Sequence, residues 1–103
     1  MGKDAERAFK EAIRSTYGVE SRYVEATPVT ETFKGETVWS GVVHVFDLTD
    51  HPDATRAYVW SEPWDGVGLR QTIKVILHAG PVESPLDAVR AAIVKDFKDR
   101  GSG

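Results

Sequence analysis

Thr37-Val38-Trp39-Ser40-Gly41-Val42-Val43-His44-Val45-Phe46-Asp47-Leu48 reads as a β-strand with no polar side. Side chains of a strand alternate between faces, so a small sheet with one wet side carries one polar set. Here one set is Val38, Ser40, Val42, His44, Phe46 and Leu48, and the other holds Trp39, Val43 and Val45. The aromatic set continues in Tyr58 and Trp60 of the next strand-like stretch, residues 55–62. Both faces therefore need a cover, supplied by the chain itself, a partner or a ligand.

Working outward, residues 4–17 repeat apolar side chains at helical spacing (Ala5, Ala8, Phe9, Ala12, Ile13, Tyr17), with Asp4 placed to cap the start and Gly18 to stop the helix. Residues 19–33 are rich in β-formers but contain Pro28, which lacks the ladder donor and predicts an edge strand or a bulge near it. Lys34-Gly35 turns the chain into the opening strand, and residues 49–54 have loop composition. Residues 69–79 alternate cleanly: Leu69, Ile73, Val75, Leu77 and Ala79 against Arg70, Thr72, Lys74, Ile76 and His78. Ser84-Pro85-Leu86-Asp87 is a strong helix start, predicting a helix to about residue 100 that buries Leu86, Val89, Ala92, Ile93 and Phe97.

The predicted order is α-β-β-β-β-α, an α+β fold with a four-stranded antiparallel meander. The simplest packing puts both helices on the face of Val42, Phe46, Val59, Ile73, Val75 and Leu77. That leaves Trp39, Arg56, Tyr58, Trp60, Arg70 and Lys74 on an open aromatic-cationic face. Aromatic and arginine side chains are enriched where interfaces hold their energy, so this face is the expected binding surface. A bulge, or a helix crossing over, would bury it instead. Trp64 lies in the turn Glu62-Pro63-Trp64-Asp65-Gly66 and is expected as a separate loop-tip contact.

Length fits one domain, residues 4–100, with 1–3 and 101–103 (Gly-Ser-Gly) read as an added start and a linker remnant. That reading makes an engineered protein binder one version of the function. A net charge of −3 removes global electrostatic support for nucleic acid or anionic membrane. The absence of cysteine excludes disulfides, thiolate metal sites and thiol nucleophiles. With no opening signal segment, the expected location is cytoplasmic.

Chemistry is sparse. Asp50-His51-Pro52-Asp53 offers metal-ligand types, but one imidazole and two carboxylates in a proline turn make a poor site, and a solvated turn is expected. His44 shares the core set with Val42 and Phe46, where burial shifts a histidine. No serine lies in a nucleophile elbow, and Gly66-Val67-Gly68 precedes a strand rather than a helix. No enzyme, cofactor or metal is expected.

The order of elements through residue 79, with Pro63-Trp64 in a hairpin, resembles the cystatins, inhibitors of papain-type cysteine proteases. There, a Gln-x-Val-x-Gly hairpin and a Pro-Trp hairpin form the wedge that enters the protease. The stretch Glu31-Thr32-Phe33-Lys34-Gly35 keeps the glycine without the glutamine and valine. The resemblance implies binding through hairpin tips. Double-stranded-RNA-binding domains are similar in topology, but Asp87 stands where lysines open their last helix, so no nucleic-acid partner is expected. The predicted function is a non-enzymatic protein-binding module, with a small homodimeric protein as the alternative and a small-molecule site or enzyme near His44 behind both.

Overall fold

The computed structural model describes residues 2–63 and 71–101, without the side chains of Pro63, Gln71 and 96–101. The elements are α1 (Lys3–Tyr17), β1 (Ser21–Phe33), β2 (Glu36–Leu48), β3 (Arg56–Pro63), β4 (Gln71–Leu77) and α2 (Pro85–Gly101). The four strands form one antiparallel sheet in the order β1-β2-β3-β4. The α+β meander is therefore present in its expected order.

Local chemistry sets the element ends. α1 begins at Lys3 with Gly2 in the cap position, and no side chain caps it. Asp4, expected as the cap, sits instead with Glu6 in the first turn, where carboxylates face the positive end of the helix. Gly18 adopts the left-handed φ of 72° and donates its N–H to the Arg14 carbonyl at 2.8 Å. At α2, the Ser84 hydroxyl accepts the Asp87 N–H at 3.1 Å, and the Asp87 carboxylate accepts the Glu83 N–H at 3.1 Å. Lys34 and Gly35, with φ of 52° and 80°, make the two-residue turn whose twist matches paired strands.

The hydrogen-bond parity of the ladders follows from their ends. Leu48 donates to Thr55, and Thr49 donates to Glu20. In these registers, even residues of β2 from His44 onward therefore bond to β3, while odd ones bond to β1. Pro28 opposes Val42, an even residue, so the donor that proline lacks faces the outer edge. β1 consequently runs through Pro28 unbroken. Of the two expectations for Pro28, the edge strand is the one found, and the register shifts of this ladder fall at Val24 and Val38.

The sheet buries two cores, one on each side. Phe9 and Ile13 of α1 pack on Phe46, Ala57 and Val59, with Ile73, Val75 and Leu77 beside them. Ala88, Val89 and Ala92 of α2 pack on Val43, Val45, Tyr58 and Trp60, with Trp39 and Ile76 beside them. These two sets are alternate positions of the same strands, so the helices cover opposite faces. The expectation of two helices on one face is corrected. An apolar stripe on each helix and two apolar faces on the sheet bury the most surface when each helix takes its own face.

β2 and β3 share only four residue pairs, His44–Val59 to Asp47–Arg56. The β1–β2 ladder continues as far as Phe33–Glu36, so a long two-stranded arm extends past this seam.

Candidate interaction surface

The open aromatic-cationic face does not exist as expected, because α2 lies on it. Tyr58 is 2% exposed and Trp60 is 1% exposed. Trp39 is half-buried and meets Trp60 edge to face, with ring centroids 5.7 Å apart and planes at 74°. Its indole lies over Gly41, where a Cβ would stand 3.0 Å from the ring. The Trp60 indole N–H donates to Glu62 at 3.0 Å. The Tyr58 hydroxyl shares a 2.6 Å hydrogen bond with His78 Nδ1, and burial pushes the phenol above its ordinary pKa.

The cations assigned to that face sit against acids. Arg56 lies 3.3 Å from Asp47, which also holds Arg22 at 2.9 Å, and Lys74 lies 3.8 Å from Glu62. The structure thus brings Trp39, Tyr58, Trp60 and Lys74 onto one face, as parity implied, but that face is core. Trp64 and Arg70 fall outside the described residues. Asp47 and Glu62, the partners of the cations, carry no distinctive sequence pattern.

The histidines lie apart from one another in the fold, His51 in the 49–54 turn, His44 on the α1 side of β2 and His78 beside Tyr58. His51 Nδ1 accepts the N–H groups of Asp53 and Ala54 at 3.0 and 3.1 Å, so its ring caps the 49–54 turn, as the solvated-turn reading implied. His44 packs 4.9 Å from the Phe9 ring and 6.2 Å from Tyr23, and its buried Nδ1 has no hydrogen-bond partner. Burial lowers its pKa from the ordinary histidine value. Among the described residues, no group of three or more His, Asp or Glu is placed to hold a metal. Among the same residues, no helix is long and apolar enough to cross a membrane.

What stays bare is half of the other face. α1 covers the sheet over the start of β1, the seam and β4, and the arm passes beyond it. Ala26, Pro28, Thr30 and Thr32 of β1 pair with His44, Val42, Ser40 and Thr37 of β2 on this side. Apart from His44, all of these side chains are exposed. Val42, expected in the core, is 46% exposed because α1 does not reach it, and the bulged Val38 is 49% exposed. Phe33 at the arm's tip is 65% exposed, with the Lys34 ammonium 5.5 Å from its ring.

The opposite side of the arm is braced. Val29 is buried in the α2 core, and Arg90 of α2 makes an ion pair with Glu31. α2 therefore holds the arm in place while its α1-side face points to solvent. In the structure β1 and β2 run 13 residues each against eight and seven in β3 and β4, a difference the strand lengths read from the sequence, 37–48 and 69–79, did not carry.

Comparisons with protein-family models, with curated proteins and with solved structures found no match.

Proposed function

We propose that this protein is a non-enzymatic binding module that contacts a protein partner through the bare face and tip of the β1–β2 arm. One observation carries the reading. Ala26, Pro28, Thr30, Thr32, Thr37, Ser40 and Val42 form an exposed, braced strip without a charged residue, in a chain that is 28% charged. Interface cores are depleted in charge, and a surface already ordered loses little entropy on binding. The strip is about 20 Å long, from the rise of a β-strand, and the exposed Val38 at the bulge extends it toward the tip. β3 ends and β4 begins at the same end of the sheet as the tip of the arm.

A photoreactive phenylalanine at Thr30 or Val42, with Glu11 on α1 as the control position, tests this in cells. Crosslinks to one discrete protein from 30 and 42, absent from 11, support the module. No crosslinks, or the same pattern from all three positions, overturn it.

The lack of charge also favours a second reading, a homodimer through this strip, because two such faces meet without repulsion despite the net charge of −3. In that case the crosslinked product is twice the chain mass, and sedimentation at micromolar concentration gives a dimer that Thr30→Lys dissociates.

A further inference from the structure

We propose that the outer edge of β4 accepts an extended, acidic segment of a partner protein as a fifth strand. The inference is independent of the arm and rests on the difference between the two edges of the sheet.

The β1 edge is guarded. Pro28 presents no donor there, the bulge at Val24 breaks the run, and Arg22 and Glu25 lie along it. β4 has only one of these protections, a single charge. Its register with β3 is continuous over all seven residues, with no proline, no bulge and Lys74 as its one charge. Thr72, Ile73, Val75 and Ile76 are β-branched, the side chains that best fit a pleated surface.

The polarity of the edge follows from one bond. His78 donates to the Arg56 carbonyl at 2.9 Å, which fixes even residues of β4 as the ones bonded to β3. The N–H and C=O groups of Ile73 and Val75 therefore point outward. Among the described residues, no backbone group pairs with them. Pro63 opposes Gln71, a position that needs no donor toward β4, so the ladder itself runs to its end intact.

A cleft of about 200 Å³ lies along this edge. Four consecutive β4 residues, Ile73 to Ile76, line it, so it follows the edge of the strand rather than one face. Thr16 of α1 forms one wall, and Ala92 and Lys95 of α2 form the other. Its described lining contains two lysines and no carboxylate, although Glu62 stands 3.8 Å from Lys74 on the β3 side. An added strand would complete the outward hydrogen bonds and set alternate side chains toward the lysine wall. Acidic residues suit those positions. A second copy of β4 is a poor occupant, because it would bring two lysine-lined clefts face to face.

The test uses a fluorescein-labelled heptapeptide, Thr-Glu-Val-Glu-Val-Glu-Thr-amide, with the glutamates changed to lysine as the control. The expected result is saturable binding of the acidic peptide by fluorescence anisotropy, with slowed hydrogen exchange at the Ile73 and Val75 amides. Lys95→Glu, on an exposed turn of α2 where it leaves the fold intact, should weaken binding about tenfold and reduce or reverse its loss with added salt. Lys74→Glu should act in the same direction. Absence of saturable binding overturns the proposal, as does equal binding of the lysine peptide. Protection of Ile73 and Val75 in the protein alone, appearing with dimer mass, also overturns it by identifying a second copy as the occupant. Thr30→Lys should leave peptide binding unchanged, which separates this edge from the arm.

Discussion

Trp60 lies beneath α2 with its indole N–H satisfied by Glu62 and its edge against Trp39. It is the largest fully buried side chain of the described residues, so truncating it opens a large cavity beneath α2. Trp60→Ala should lower unfolding free energy by about 3–5 kcal/mol, read from the denaturant midpoint at constant slope. A change under about 1 kcal/mol would remove it from the core. His44 offers a residue-scale pH effect. Its imidazole is held below the ordinary value of 6.5 by burial against Phe9, so the unfolded chain binds this proton at higher pH than the folded one. The stability that neutral His44 supports is whole above that value and is lost as pH falls from there through the lowered folded pKa. His44→Phe should flatten the decline in melting temperature between neutral and mildly acidic pH. An unchanged profile would show that the group does not titrate differently in the two states.

At the scale of elements, β2 is two strands in one. From His44 onward its even residues bond to β3, whereas Ser40 and Val42 point the same groups into the gap beyond the seam. Their amides should exchange with solvent far faster than those of His44 and Phe46, by NMR-detected hydrogen exchange on the folded protein. Equal protection would mean that the β2–β3 ladder extends past the seam. The sequence was most legible here. The caps at Gly18 and Ser84, the Lys34-Gly35 turn, the edge position of β1 and the parity of Phe46, Val59 and Ile73 are all local patterns, set by neighbours a few residues away. Val42 misled because parity fixes the face of a side chain but not whether anything reaches it. The same limit explains Tyr58 and Trp60. Alternation placed them on one face together, yet the choice of α2 to cover that face depends on contacts some thirty residues distant in sequence. The bare strip was hidden for a related reason, since threonine and alanine on a strand look alike whether wet or buried.

For the whole molecule, the consequence is a layered body with one core on each side of the sheet. α1 seals one side over Phe46 and Val59, and α2 seals the other over Val45 and Tyr58. Truncation before Ser84 should expose the two tryptophans and Tyr58 together. Loss of cooperative thermal unfolding and a red shift in tryptophan emission are the expected results. A truncated chain that still melts sharply would show that the α1 side folds independently.

The short seam between β2 and β3 carries one more consequence, for how such a chain varies in length. Because the arm beyond the Glu31–Trp39 pair has no ladder to β3 and no residue in either core, both of its strands can be shortened or extended together at the tip without moving the cores. The steps are not free, however: two residues per strand preserve which side faces α2, whereas one residue turns every side chain over. Descendants of this scaffold, whether evolved or designed, should therefore differ in the arm by even increments, each resizing the bare strip while leaving Trp39 beside Trp60.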